Sequence, residues 1–398
     1  MVTLPDAPWR ERAGLAELVA TLDAESDGVR YVGGAVRDTL LGLPVADLDL
    51  ATRHAPQVVM ARLAQAGIKA VPTGLAHGTI TAVIASGPVE VTTLRRDVAT
   101  DGRHAVVAFT DDWREDAARR DFTINALFAE PDSGRIVDYF GGLDDLAERR
   151  IRFIGDPMAR IAEDHLRILR FFRFLARFGD VPDPAALAAC EARANDLMAL
   201  SRERIRDELL KLLVAPDAVR VVMLMLEGGI LRPVLPEITS AEPLAILAAR
   251  EAAAKIKADP LRRLVALLPD AAAVEVVGAR LKLSNADRKR LANAAVPAGD
   301  LHPRELAYRS GVDTAVDRIL LSPRETDEAT ALVGWVPPAL PVSGGMLIGL
   351  GLRKGPVVAA TLHRVVDRWV QEGFPDATRA EAIARQEVDQ ALRDTSSA

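Results

Sequence analysis

The chain has little cysteine, few aromatic rings and no excess of positive charge. Cys190 is the single cysteine among 398 residues. That excludes an internal disulfide and a cysteine-rich zinc site, and it fits a reducing compartment, read here as the cytoplasm. Aromatic residues make up 4% of the chain, which argues against base stacking as the main way of holding a single-stranded nucleic acid. The formal net charge is −6. It weighs mildly against a nucleic-acid partner, since phosphates need cations, yet a local basic stripe can coexist with an acidic sum. No apolar run reaches the length of a membrane span, and VRVVMLMLEGGIL reads as core helix. MVTLPDAPWRERAG has no apolar run behind a basic one, so no signal peptide is expected.

What is present suits an ordered protein with more than one core. The hydrophobic fraction is 49% and the charged fraction 27%, and the length predicts two to four domains. GVRYVGG, VADLDLAT, HGTITAVIAS, PVEVTTLR and GRIVDYFGG read as strands, with a helix at PQVVMARLAQAG between them. After about residue 150 the strands stop. DPMARIAEDHLRILRFFRFLARFG and the segments that follow it repeat at helical period, each opened by Asp, Ser or Pro. The expected fold is therefore an N-terminal α/β (α+β) region with a mixed sheet, then an all-α remainder. RDTSSA at the end reads as a frayed tail.

YVGGAVRDTLLGLPVADLDLAT, residues 31–52, carries the chemistry. In a strand, residues two apart share a face, so Asp47 and Asp49 project together while Leu48 and Leu50 enter the core. Adjacent carboxylates repel, and a divalent cation with hard oxygen ligands, magnesium, resolves the conflict. The competing reading of a lone Asp-x-Asp is a solvated strand edge. Glu90 in PVEVTTLR alternates with valines, and a neighbouring strand would make it a third carboxylate of a two-metal site. Gly33 and Gly34 end one strand and open a helix, which presents bare backbone N–H groups to a triphosphate, with Arg37 one turn in. A plain strand-to-helix turn would need only one glycine. Phosphate cradle and carboxylate pair together point to phosphoryl transfer from a nucleotide.

These residues, with EVTTLRRD, EDAARRDFTINAL, DYFGGLDDL and GDPMARIAEDHLRILRFFRF, resemble the class II tRNA nucleotidyltransferase and bacterial poly(A) polymerase family. The family comprises the CCA-adding enzymes of the polymerase-β-like nucleotidyltransferase superfamily. The likeness covers residues 28–215 in unbroken motif order. VSGGMLIGLGLRKGPVVAATLHRVVDRWVQEGF is similar to the family's C-terminal ending. The resemblance implies a catalytic head at 1–148, a helical neck with a nucleobase-selecting helix at 149–215, and an RNA-binding helical body and tail at 216–398. It implies that Asp47 and Asp49 hold Mg2+, with Glu90 catalytic beside them. Gly33, Gly34, Arg37 and Arg120 would meet the triphosphate and Asp121 the ribose region. DVATDGRHAVVAFTDDWRED would be a flexible loop between the halves of the site. CTP and ATP would be the substrates, and the tRNA 3′ end and acceptor region the partner.

EDHLRILRFFR, read as one helix, sets Asp164 and Arg167 a turn apart on one face, an acceptor beside a planar donor fork. The resemblance makes them a protein template that selects CTP or ATP, with Arg170 and Arg173 reaching the triphosphate. The competing reading is a salt-bridged helix with Glu163 paired to Arg167. His165 receives no role. Basic residues in SRERIRDELLK, AAAKIKADPLRRL and RLKLSNADRKRL are candidates for a tRNA-facing surface, against the alternative of solvated mixed charge. The glycine-rich turn GLGLRKGPVV is a candidate backbone-phosphate contact, against a plain interhelical turn. Within the family, poly(A) synthesis or addition of only CC or only A are the alternatives. A silent RNA-binding protein is disfavoured, since a binder has no use for unshielded paired carboxylates.

Overall fold

β-Branched runs between turn residues become strands of an N-terminal sheet. In the computed structural model, which describes residues 2–100 and 105–396, they are β1 (Val29–Val32), β2 (Asp49–Thr52), β3 (Lys69–Gly74), β4 (Thr79–Ile84), β5 (Gly87–Thr93), β6 (Arg95–Thr100), β7 (Ala105–Phe109), β8 (Leu127–Ala129) and β9 (Ile136–Asp138). Seven of them form one mixed sheet, in the order β3-β4-β5-β2-β1-β8-β9. β2 and β5 run parallel; the other neighbours are antiparallel. Helices α1 (Leu15–Thr21), α2 (Gly34–Leu40), α3 (Pro56–Gln65), α4 (Trp113–Ala118) and α5 (Gly142–Ala147) accompany the sheet. Val32, Ala51, Leu94, Trp113 and Phe128 share one buried cluster behind the strands that carry the motifs.

Several elements depart from the sequence expectation. The segment expected to be a flexible loop between the halves of the site pairs as the antiparallel hairpin β6–β7 and then enters α4, whose Asp112 cap accepts from Arg114 N at 2.7 Å. Residues 101–104 of that loop lie outside the described residues. β3 was not expected because Pro72 interrupts it, and it survives as the exposed edge of the sheet. β8 is only three residues long and fully buried, too short to show alternation.

The first compact unit extends to Thr239. Its helical part holds α6 (Pro157–Glu163), α7 (Leu166–Phe178), α8 (Pro184–Ala192), α9 (Arg202–Leu213) and α10 (Ala218–Glu227). Caps set the boundaries: Asp156 accepts from Ala159 N at 3.0 Å and Asp183 from Ala186 N at 2.9 Å. Strands do not stop at 150, as expected, because β10 (Arg150–Ile151) and β11 (Val181–Pro182) form a short parallel ladder. α7 buries Phe171, Phe172 and Phe174 and packs Phe171 against Phe153, their centroids 5.8 Å apart.

The second unit, from Ser240, is entirely helical over its described residues: α11 (Glu242–Ala253), α12 (Pro260–Ala266), α13 (Ala271–Arg280), α14 (Asn285–Ala294), α15 (Pro303–Ser310), α16 (Val312–Leu320), α17 (Thr326–Thr330), α18 (Gly344–Gly349), α19 (Pro356–Gln371) and α20 (Ala377–Ser396). The last helix continues to Ser396, where fraying was expected; residues 397 and 398 lie outside the described residues. The basic-face expectation fails for α12. Arg262 and Arg263 are buried, both paired with Glu251, and Arg262 also meets Asp317. Arg290 of α14 likewise turns to Asp317 and Asp259. Arg353 and Lys354, in the glycine-rich turn before α19, are exposed. No helix among the described residues is long and apolar enough to cross a membrane.

Candidate active site

β1 and β2 run antiparallel in the middle of the sheet with Tyr31 opposite Leu50, so the end of β1 and the start of β2 lie at the same end of the strands. Gly33, just past β1, has φ 65° and ψ −119°, a conformation that side chains resist and glycine permits. Gly34 then opens α2. In β2 and the extended segment just before it, Leu48 and Leu50 are buried, Asp47 is exposed and Asp49 partly so, the alternation expected from the motif although the strand itself begins only at Asp49. The parallel pairing of β2 with β5 sets Asp49 directly opposite Glu90. The third carboxylate therefore joins the first two across the sheet.

Burial raises the Asp49 carboxyl to about 6; Glu90 adds to the rise, Arg120 opposes it and Asp47 adds again. The group sits among negative neighbours with one cation answering. Arg120 faces the glycine turn: a Cβ on Gly33 would lie 3.5 Å from its Nη1. Its guanidinium is braced by Asp116 Oδ2, 2.9 Å from Nη2, and lies 5.3 Å from the Phe128 ring centre. Asp116, buried in α4, also takes Arg119 and accepts from Arg95 N.

The other predicted phosphate-side residues form a connected chain. Arg37 is buried; it donates to Asp38 Oδ1 at 2.8 Å and to Asn125 Oδ1, and stacks 4.3 Å from the Phe178 ring centre. Asn125 Nδ2 donates to Asp121 Oδ1 at 2.9 Å. Asp121 Oδ2 accepts from Arg170 Nε at 2.8 Å and from Nη2 at 2.5 Å. Burial alone would raise Asp121, but Arg170 and Asn125 more than offset it and hold the carboxyl below its ordinary value. Arg173 donates to Glu208 of α9 at 2.5 Å. Arg37, Asp121, Arg170 and Arg173 are thus brought together, each already bonded to protein.

The pair Asp164 and Arg167 is a correction. The expected single helix breaks: α6 ends at Glu163, and Asp164 is extended at φ −151° and ψ 107° before α7 starts. The two side chains therefore do not share a helix face. Asp164 accepts from Leu166 N at 3.1 Å and from Arg204 Nη2 at 3.1 and 2.8 Å. Arg167 pairs with Glu163, the partner of the competing reading, and donates to Arg160 O at 2.8 Å and Arg119 O at 3.3 Å. His165, given no role, places Nδ1 3.0 Å from Ile161 O.

Sequence reasoning missed Asp116, Asn125, Arg204 and Glu208. Asn125 stood in the quoted RRDFTIN, four residues after Asp121, which was its available signal. Arg204 and Glu208 carry none, because their partners lie 40 and 35 positions away.

A glycine turn facing an arginine, beside carboxylates paired across a mixed sheet, defines a nucleotidyltransferase head. Residues 29–152 match the family model described as the poly A polymerase head domain, and 182–242 the probable RNA and SrmB-binding site of polymerase A. Over 380 residues, 91% of this chain and 87% of the relative, the chain is 36% identical to the mitochondrial CCA tRNA nucleotidyltransferase 1 of Danio rerio. It is 40% identical over 204 residues, 51% of this chain and 49% of the relative, to the CCA-adding enzyme of Leuconostoc citreum (strain KM20). The crystal structure of the Bacillus stearothermophilus CCA-adding enzyme in complex with CTP superposes with a TM-score of 0.74 at 26% identity, covering 99% of this chain and 100% of that one. The chain belongs to the class II CCA-adding enzyme and poly(A) polymerase family, and it is a nucleotidyltransferase.

Proposed function

We propose that the chain adds CMP, CMP and then AMP from CTP and ATP to the 3′ end of tRNA, releasing pyrophosphate. The observation that carries this reading is the register of β2 on β5, which faces Asp49 with Glu90 beside Asp47 and the Gly33 turn. In it, Asp47 and Asp49 orient the reacting groups, and Arg120 neutralises phosphate charge. Gly33 and Gly34 offer backbone N–H groups, while Arg37, Asp121, Arg170 and Arg173 form the phosphate and ribose wall. Asp164 and Arg167 read the base from the α6–α7 junction rather than from one helix face.

Among the described residues no group of three or more Asp, Glu, His or Cys is set to hold an ion. A two-carboxylate site still fits Mg2+, which is bound by one or two carboxylates and fills its shell with water and substrate phosphates. Asp47 and Asp49 would hold it; when bound, it supplies activation of the 3′-hydroxyl and stabilisation of charge on the phosphate. Residues 1–148 act in this reading as catalytic head, 149–215 as base-selecting neck and 216–398 as RNA-binding body and tail. The compact units divide elsewhere, at Thr239 and Ser240, so the neck shares a folding unit with the head. A reducing cytoplasm suits Cys190, which is free and buried.

The test is incorporation of labelled CTP and ATP into tRNA lacking its 3′ end. Two C residues and one A are expected. Long A tracts on generic RNA would instead assign poly(A) synthesis, and a halt after CC or a demand for a CC end would assign partial addition.

A further inference from the structure

Tyr31 faces away from the carboxylate site. It stands opposite Leu50 in the β1–β2 ladder and so shares its face of the sheet, whereas Asp49 lies on the other face. Tyr31 is 4% exposed, and Trp9 sets its ring edge-on against it with 4.8 Å between centroids. The Tyr31 hydroxyl nevertheless forms no hydrogen bond among the described residues, although a buried hydroxyl normally has a partner. It lines the floor of a cavity of about 880 Å³, within the range of small-molecule sites. Burial raises the hydroxyl above its ordinary value; Arg10 opposes the rise and Asp132 adds to it. At neutral pH the oxygen therefore keeps its proton and can accept a hydrogen bond as well as donate one.

The rim of this cavity is acidic. Glu11, Glu25 and Asp132 are exposed there and form no ion pair among the described residues. Asp23 is committed to Arg62 at 2.6 Å. The cation of the wall, Arg10, is held by Pro131 O at 3.2 Å and lies 3.8 Å from Asp6. Among the described residues no three acidic or other ligating side chains converge to hold a metal ion. The negative charge is spread around the rim and not focused on a point.

We infer that this cavity binds a linear polyamine, an aliphatic chain with ammonium groups spaced along it. Separated carboxylates suit separated ammonium groups, each of which carries its own donors and no acceptor. A divalent ion needs converging oxygens, which the rim does not supply, and an anion would meet repulsion there. Between the acidic side chains the wall is apolar, with Val19 and Pro131 both buried. Methylene groups can lie along that surface as lysine stems do, while the charged groups stay in water at the rim. One ammonium reaching the floor would give the Tyr31 hydroxyl the donor it lacks. The cavity lies on the face of the sheet opposite Asp49, so the inference is independent of the nucleotidyl-transfer reading.

The experiment titrates spermidine calorimetrically into the full chain, without RNA, nucleotide or magnesium. Saturable binding is expected. Tyr31→Phe should weaken it about 3–5-fold, the scale of one hydrogen bond. Its urea midpoint should stay at or above that of the wild type, because the hydroxyl bonds nothing in the protein. Glu11→Gln combined with Asp132→Asn should weaken binding about 10-fold, as the sum of two exposed charge pairs. Asp49→Asn should keep wild-type affinity, and magnesium chloride should displace spermidine no better than sodium chloride of equal ionic strength. Absence of saturable binding overturns the inference, as does wild-type affinity in either Tyr31→Phe or the double variant. Loss of binding in Asp49→Asn, or selective displacement by magnesium, would give the polyamine to the carboxylate site and overturn it too.

Discussion

The carboxylate site of the sheet and the second unit treat acidic side chains in opposite ways. Within the second unit, Glu251 and Asp317 are almost fully buried, and each is bonded to two arginines, drawn from Arg262, Arg263 and Arg290. At the carboxylate site, Asp49 faces Glu90, stands two residues from Asp47 and has Arg120 as its compensating cation. Compensated charge fixes a fold; charge left in excess waits for a partner. The second unit spends its cations internally, which is why Arg262 and Arg263, so conspicuous in AAAKIKADPLRRL, do not reach solvent.

The contrast predicts opposite outcomes for similar substitutions. Asp47→Asn or Asp49→Asn should remove transfer almost completely, a loss of several kcal/mol of transition-state stabilisation, with the urea midpoint held or raised. Near-wild-type incorporation by either variant would break the comparison at the carboxylate site. Next in size, Arg262→Ala leaves Glu251 and Asp317 short of a partner, and stranding a buried charge costs about 3–5 kcal/mol. Denaturant unfolding should register that loss. A change under about 1 kcal/mol would mean that the network behaves like surface pairs.

How much of this was legible beforehand follows the same division. The Gly33 turn and the Asp47 and Asp49 alternation were readable, because each is a local pattern, a turn or a period of two; Glu90 was legible only as a polar position on a strand, and its place opposite Asp49 came from the tertiary fold. Asn125, Glu208 and Arg204 were not, since they act through partners that only the tertiary fold brings near. The break at Asp164 was hidden for another reason. EDHLRILRFFR has unbroken helical periodicity, and the stop comes from Asp164 turning its carboxylate to Leu166 N and Arg204. The hairpin β6–β7 was missed because the family resemblance implies a loop there, although Ala105–Phe109 is a continuous apolar run that reads as a strand.

Arg167 sharpens the comparison between structural and functional pairing. It is bonded to Glu163, Arg160 O and Arg119 O, so Arg167→Ala should cost stability as well as activity. If it also reads the base, the variant should admit UTP or GTP relative to CTP by about 1–3 kcal/mol, the cost of unpaired polar groups. Measuring the four nucleotides one at a time separates the effects. Equal slowing of all four would leave Arg167 as a bracket between head and neck. Arg204→Ala, which frees Asp164, should move selectivity in the same direction.

The smallest effect tests the uncompensated charge itself. Burial, with Glu90 beside it, raises the Asp49 carboxyl to about 6, against an ordinary aspartate value of about 3.9. Between those values the folded chain binds more protons than the unfolded one, so stability falls as pH rises from about 4 to about 6 and is level above. The deficit at neutral pH is on the order of 2 kcal/mol, allowing for water at a partly exposed carboxylate. Asp49→Asn should remove this slope and raise the midpoint of urea unfolding at pH 7.5 while leaving it unchanged near pH 4. Magnesium should stabilise the wild-type protein more at pH 7.5 than at pH 5, because protons compete for the same carboxylate. A wild-type stability profile that is flat across this range, or a variant with the wild-type slope, would show that Asp49 is neutralised within the fold. The carboxylate site would then be as internally compensated as the second unit.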